Sequence, residues 1–115
     1  VSNGTIGNNV VQALDNLNYP STIAQYDFPF VKPLDEELLH AIFSKFETII
    51  TIEDGVISGG FGSAILEFAA ANNYHAKIQL LGVPDEFIEQ GTVLELQQIC
   101  KMDVSSLEVL FKELL

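Results

Sequence analysis

The sequence predicts an α/β domain, a three-layer α/β/α sandwich around a mostly parallel sheet. Two patterns favour this fold class. Segments whose apolar residues recur at helical spacing alternate with short β-branched segments along the whole chain, and this alternation is typical of parallel strands joined through helices. One β-branched segment, residues 48–52, is apolar without strict alternation, as expected of a central strand that is covered on both faces.

The first half of the chain predicts a helix, a strand and a second helix. The apolar residues of the first helix recur at helical spacing, and these are Ile6, Val10, Leu14 and Leu17. Tyr19-Pro20 ends that helix. Alternating side chains over residues 22–28 predict a strand with one less buried side. Asp35 is well placed as the N-cap of the next helix, whose buried stripe is formed by Leu38, Leu39, Ile42, Phe43 and Phe46.

The second half of the chain continues the alternation. After the central strand, the glycine-rich segment 59–62 leads into a helix that Asn72-Asn73 ends. Residues 77–81 predict another strand. Two further helix starts are indicated by capping boxes, namely Thr92 with Glu95 and Ser105 with Glu108.

The charge balance excludes several classes of partner. The 115 residues, which we expect to form a single domain, contain 5 Lys plus Arg, none of them arginine, against 16 Asp plus Glu, for a net charge of −11. Nucleic acids and anionic membrane surfaces both require clustered cations. No apolar run approaches the ~20 residues of a membrane span. We therefore expect neither nucleic acid nor membrane as a partner. The single cysteine allows no internal disulfide, so the chain neither needs nor indicates an oxidising compartment. We expect a cytoplasmic protein.

Four residues near the middle of the chain are the candidates for an interdomain or ligand loop: Glu53, Asp54, Gly59 and Gly60. Glu53 and Asp54 follow the central strand, where open α/β sheets place ligands. The glycines precede a helix N-terminus, where phosphate groups bind. The segment matches neither a dinucleotide fingerprint nor a P-loop, and two carboxylates would repel a phosphate. The alternative is that these residues have structural roles. The glycines would then allow a positive φ or close packing of the helix on the strand, and the carboxylates would cap the glycine-rich segment or make an interdomain hydrogen bond.

The sequence predicts no catalytic, cofactor-binding or metal-binding residue in this chain. His40 and His75 have no second His or Cys at metal-ligand spacing. Cys100 lies in an apolar stripe and is expected to be a buried, inert thiol. Ser63 does not lie in a G-x-S-x-G elbow.

Phe87 and Ile88 are predicted to form a surface for another domain or subunit. They follow a Gly-Val-Pro-Asp turn, and adjacent large apolar side chains in a loop indicate a contact patch. Phe28 and Phe30, on either side of Pro29, are expected to widen this patch. The alternative is that Phe87 folds back on the core of its own domain.

Four stretches, read together, resemble a known enzyme family. They are residues 30–35 (Phe-Val-Lys-Pro-Leu-Asp), residues 51–55 with 59–63, residues 82–88 with 90–92, and residues 102–104. The first two resemble the C-terminal domain of the transketolase-like enzymes. The others narrow the resemblance to the 1-deoxy-D-xylulose-5-phosphate synthase family, and the likeness covers nearly the whole chain.

The resemblance implies a transferase that condenses pyruvate with glyceraldehyde 3-phosphate, with thiamine diphosphate and Mg²⁺ as cofactors, in isoprenoid biosynthesis. It implies that this chain is the third domain of a longer multidomain enzyme. Such a domain binds no cofactor alone and packs against the other domains and a second subunit of a homodimer. A mixed sheet of about five strands with one antiparallel edge strand is also implied. The alternatives are the same domain of a transketolase or a 2-oxoacid dehydrogenase β-chain, or a free-standing binding module.

Overall fold

The computed structural model describes residues 1–18, 22–29, 33–57, 59–83 and 100–114. In these ranges the helices are α1 (Gly7–Asn16), α2 (Glu36–Lys45), α3 (Phe61–Ala71) and α4 (Val104–Glu113). The strands are β1 (Ser2–Asn3), β2 (Thr48–Val56) and β3 (Lys77–Val83). Their order in the sheet is β1-β2-β3, and both pairings are parallel.

The central strand β2 directs alternate side chains into two apolar clusters on opposite faces of the sheet. Ile49 joins the cluster built by α2 and α3, which also contains Leu39, Ile42, Phe43, Ile65 and Phe68. Ile52 joins the cluster built by α1 and α4, which also contains Val10, Leu14, Met102, Leu107 and Phe111. Because helices cover both faces of a parallel sheet, the prediction of a three-layer α/β/α fold is confirmed.

Two of the predicted helix caps lie in the described residues, and the structure confirms one of them. Asp35 is the N-cap of α2 and accepts a hydrogen bond from the Leu38 N–H at 3.1 Å, as predicted. The prediction of a Ser105–Glu108 capping box is wrong, because Asp103 caps α4 by accepting from the Ser106 N–H. Asp103 precedes Ser105 and already holds the extended conformation of a cap, so Ser105 lies inside the first turn. The Thr92–Glu95 box lies outside the described residues.

The sheet is smaller than expected within the described part of the chain. It has three strands rather than about five, and none of the pairings among them is antiparallel. Residues 22–28 do not form the predicted strand. They make one isolated parallel bridge, Asp27 opposite Ser2, because β1, the strand beside them, has only two residues.

Phe28 is a core residue, so the expectation that it belongs to an exposed patch is wrong. Its side chain is 2% exposed and lies in the α2/α3 cluster. Its ring centroid lies 5.5 Å from that of Phe61. The bridge at Asp27 turns Phe28 toward the core, because the Phe28 N–H donates to the Ser2 carbonyl at 2.8 Å. Phe30 lies outside the described residues.

We predict that this chain, with Val1 as a free amino terminus, loses stability at mildly acidic pH. The Val1 amino group donates to the Ile50 carbonyl at 2.8 Å, and burial lowers its pKa from 8.0 to about 6. A cleft beside this end of the sheet includes Val1 in its lining, and the charged side chains that line it are Lys45 and Glu47. The folded state favours the neutral amine, whereas the unfolded chain accepts a proton more readily. The free energy of unfolding is therefore highest above the unfolded pKa of 8.0 and decreases as the pH falls toward the folded pKa of about 6.

The expected loss in the free energy of unfolding is about 2–3 kcal/mol between about pH 9 and about pH 5. Urea titrations of the chain at several pH values measure it. The matched control is the same chain acetylated at Val1. It keeps both histidines, but it has no amino-terminal amine that could be protonated. Identical pH dependence of the two chains would contradict the prediction.

Candidate functional site

The two candidate carboxylates lie on opposite sides of the sheet. Glu53 and Asp54 are consecutive residues toward the carboxyl end of β2, and consecutive side chains of a strand point to opposite faces. Glu53 points to the face that α3 covers, and Asp54 points to the start of α1. They therefore form no acid–base dyad.

Glu53 caps α3 from the neighbouring strand. Its side chain is 2% exposed. Its Oε1 accepts from the Phe61 N–H at 3.0 Å, and its Oε2 accepts from the Gly62 N–H at 2.8 Å. The helix itself has no acidic residue in its first turn, and its N-cap, Gly60, has no side chain to offer. Glu53 thus supplies both the acceptor and the negative charge that a helix N-terminus favours.

Asp54 serves α1 in the same way on the other face. Its Oδ2 accepts from the Thr5 hydroxyl at 3.0 Å and from the Ile6 N–H at 3.2 Å. Like α3, α1 has no acidic residue in its first turn, and its N-cap, Ile6, makes no side-chain cap. Gly4 has a φ of +94° and lies against Asp54, so that an added Cβ would collide with Oδ2. The close approach and the backbone conformation both require glycine.

The glycine-rich segment is fixed by its own contacts. Gly59 has a φ of +72°, and its N–H donates to the Ser63 Oγ at 3.2 Å. The Ser63 hydroxyl in turn donates to the Ile57 carbonyl at 2.8 Å. The N–H of Gly60 donates to the same carbonyl at 3.2 Å. These contacts account for the segment as a turn, and a ligand role for Gly59 and Gly60 stays a prediction.

Gly62 allows α3 to lie directly on the sheet. A Cβ at this position would be 2.7 Å from the Oγ1 of Thr51 and 2.8 Å from the Cδ2 of Leu80. Thr51 is fully buried, and its hydroxyl has no hydrogen-bond partner in the described part of the chain. The helix start therefore approaches the strand more closely than any side chain permits, which brings its N–H groups within reach of Glu53.

The remaining candidate residues do not converge on this edge of the sheet. The His40 Nδ1 lies 2.6 Å from the Tyr74 hydroxyl, and its ring packs 4.9 Å from the Phe68 ring. His75 is exposed. Cys100 is half-buried in a turn rather than fully buried, and burial raises the pKa of its thiol. Phe87 and Ile88 lie outside the described residues.

No metal-binding arrangement is found in the described ranges, where no three His, Cys, Asp or Glu residues lie close enough together to hold an ion. In the same ranges, no helix has both the length and the apolar character needed to cross a membrane.

One partner of the candidate residues was not predicted from the sequence, namely the start of α1, which Asp54 caps. The signal for it was present: the helix begins at Ile6-Gly7 without a Ser, Thr, Asp or Asn cap, so its N–H groups need an acceptor from elsewhere.

These features define a class of domain: a parallel α/β sheet whose own carboxylates occupy the helix N-termini at its carboxyl edge. The family described as "Transketolase, C-terminal domain" matches residues 1–107. The chain belongs to this family.

Two bacterial proteins are similar to this chain over nearly its whole length. The chain is 52% identical over 108 residues to the 1-deoxy-D-xylulose-5-phosphate synthase of Parabacteroides distasonis, a match that covers 93% of the chain and 17% of that protein. It is 52% identical over 116 residues to the enzyme of the same name from Porphyromonas gingivalis, covering 100% of the chain and 18% of that protein. The chain thus spans less than a fifth of the length of these relatives.

A solved structure shares the fold. It is titled "Split gene transketolase, inactive beta4 tetramer" and matches with a TM-score of 0.78 at 24% identity, covering 97% of this chain and 37% of that chain. At this identity the likeness shows the fold alone.

Proposed function

We propose that this chain is the C-terminal domain of a 1-deoxy-D-xylulose-5-phosphate synthase, a transferase that condenses pyruvate with glyceraldehyde 3-phosphate and releases CO₂. The observation that carries the proposal is the 52% identity, over the whole chain, to an enzyme of that name. A transketolase or a 2-oxoacid dehydrogenase β-chain is less favoured, because the relatives at this identity carry the synthase name. The enzyme would be cytoplasmic and would serve isoprenoid biosynthesis.

The role of this domain in the enzyme is structural. When bound, thiamine diphosphate supplies the carbanion chemistry of the reaction. The described residues do not fit a site for it, because a diphosphate needs free N–H groups or cations and its Mg²⁺ needs oxygen ligands. The helix starts at the carboxyl edge of the sheet already receive Glu53 and Asp54. In this proposal the domain packs on the other domains and on a second subunit of a homodimer, and the other domains bind the cofactor and the substrates.

A deletion in the longer enzyme tests the proposed function. The gene that encodes this chain is expressed in full and with residues 1–115 removed, and the product is assayed for CO₂ release from pyruvate that depends on glyceraldehyde 3-phosphate. We expect activity from the full protein, and loss of its dimer on deletion, measured by sedimentation. Absence of the activity from a folded full-length protein would contradict the synthase assignment.

We also predict that the isolated chain does not bind the cofactor. Calorimetric titration with thiamine diphosphate and Mg²⁺ is expected to show no saturable heat, because each of the four described helix N-termini already donates to a carboxylate of this chain. The full-length protein is the positive control. A micromolar dissociation constant for the isolated chain would show that its residues take part in the cofactor site.

A further inference from the structure

The sequence contains one Asn-Gly dipeptide, Asn3-Gly4, where β1 ends and the turn toward α1 begins. Each of the other six asparagines is followed by a residue that has a side chain. The side-chain amide of an asparagine is open to attack by the backbone nitrogen of the next residue. Glycine permits this attack best, because it has no Cβ and the widest range of backbone conformations. Asn3 is therefore the asparagine whose local sequence favours deamidation most.

The reaction exchanges water for ammonia. The Gly4 backbone nitrogen gives up its proton and bonds to the Asn3 Cγ, which closes a five-membered succinimide, and the side-chain amide leaves with that proton as ammonia. Water then adds to one of the two ring carbonyls and breaks its bond to the ring nitrogen. Opening at the side-chain carbonyl gives aspartate. Opening at the backbone carbonyl gives isoaspartate, whose main chain is one methylene longer.

The folded structure holds the Asn3 side chain away from this reaction. Its Nδ2 donates to the Phe28 carbonyl at 2.7 Å, and its backbone is opposite Glu53 in the parallel pairing of β1 with β2. Phe28 is itself fixed, because its ring is buried and its N–H donates to the Ser2 carbonyl. Closing the succinimide requires the Asn3 side chain and backbone to leave these contacts, so the folded state protects the amide.

We propose that Asn3 is a modification site controlled by the opening of β1. When β1 separates from β2 and from Phe28, Asn3 deamidates through the succinimide with Gly4. This strand has two residues, whereas β2 has nine and β3 has seven. Fewer contacts hold it in the sheet, so its opening requires less free energy than the opening of the other two strands.

Neither product fits the closed position of β1. In aspartate, an oxygen replaces the Nδ2 donor that faces the Phe28 carbonyl at 2.7 Å, so two acceptors would oppose each other. Isoaspartate lengthens the backbone immediately before Gly4. That residue has no space in which to move, because even an added Cβ would collide with the Asp54 Oδ2. Deamidation therefore turns a reversible opening of β1 into a permanent one.

The test compares deamidation in the folded and the unfolded protein. The protein expressed in full from the gene that encodes this chain is incubated at neutral pH with and without guanidinium chloride. Liquid chromatography with peptide mass spectrometry then separates asparagine, aspartate and isoaspartate at residue 3. We expect deamidation of Asn3 to be at least about tenfold slower in the folded protein. In the unfolded protein we expect it to be at least about tenfold faster than at Asn8 or Asn73.

A pair of variants tests the consequence. Asn3→Asp introduces one product directly, and Asn3→Ser is the matched control, which removes the amide without adding a charge. We expect hydrogen exchange of the Phe28 amide, which donates to the Ser2 carbonyl, to be about tenfold faster in Asn3→Asp than in Asn3→Ser. A protein that folds with serine but not with aspartate supports the proposal as well.

Three outcomes would overturn the proposal. The first is an equal rate of deamidation in the folded and the unfolded protein, which would show that β1 does not protect Asn3. The second is an unfolded protein in which Asn3 reacts no faster than Asn8 and Asn73. The third is equal exchange of the Phe28 amide in the two variants, which would show that aspartate fits the closed strand. If neither variant folds, the comparison of deamidation rates decides alone.

Discussion

Replacing Glu53 by Gln is expected to lower the free energy of unfolding of this chain by about 3–4 kcal/mol. The carboxylate accepts from two buried N–H groups, at Phe61 and Gly62. An amide keeps one oxygen but turns an NH₂ group toward the second N–H, so one buried donor loses its acceptor. The negative charge that offsets the α3 dipole is lost as well. Urea unfolding monitored by circular dichroism measures the change.

Asp54→Asn is the matched control, because it makes the same chemical change one residue later. Asp54 also accepts from a helix N-terminus, but its side chain is exposed, and water replaces a lost acceptor there. We expect a loss below about 1 kcal/mol. Equal losses for the two variants would show that burial of the Glu53 bonds does not determine their strength.

The Glu53→Gln substitution also tests whether Glu53 has a role in catalysis. General acid–base catalysis contributes about 10²- to 10⁴-fold to turnover. In the full-length enzyme, Glu53→Gln is expected to reduce assembly or stability, with only a modest loss of turnover in the molecules that remain folded. A loss of a hundredfold or more in a protein that folds and assembles normally would show that the carboxylate transfers a proton.

The local signals in the sequence predicted the helices and the central strand well. Apolar spacing located α1 and α2, and Asp35 was identified as a cap from its residue type and position alone. These features succeed because they depend on residues within one turn of each other. The layer arrangement followed from them, since strands that are apolar on both faces need helices on both sides.

The predictions that failed concern features that depend on residues far away in the chain. Residues 22–28 alternate as a strand does, but a strand also needs a neighbour, and β1 is too short to pair with all of them. Phe28 precedes Pro29, which predicts a loop, yet its side chain is buried. The hydrogen bond from the Phe28 N–H to the Ser2 carbonyl fixes the backbone so that the ring points into the core. At the candidate site, the position after the central strand predicted that Glu53 and Asp54 contact a ligand or act as caps. It gave no information on which helices receive them, because that depends on where α1 and α3 lie against the sheet.

Substitution of Gly62 is expected to produce a graded loss of stability, about 2 kcal/mol for Gly62→Ala and about 4 kcal/mol for Gly62→Val. The added Cβ would lie 2.7 Å from the Thr51 Oγ1 and 2.8 Å from the Leu80 Cδ2, so α3 must move away from the sheet. That movement lengthens both bonds to Glu53, and the loss exceeds the benefit of replacing a helical glycine, about 1 kcal/mol. Gly55→Val is the control, because the nearest atom to its Cβ is 3.8 Å away, and we expect it to leave the free energy of unfolding nearly unchanged.

Gly62→Val and Glu53→Gln both act through the hydrogen bonds of Glu53. We therefore expect Gly62→Val to lower the free energy of unfolding by less in the Glu53→Gln background than in the parent chain. Strict additivity of the two losses, measured by urea unfolding of the four chains, would show that the packing of α3 on β2 and its capping by Glu53 are independent.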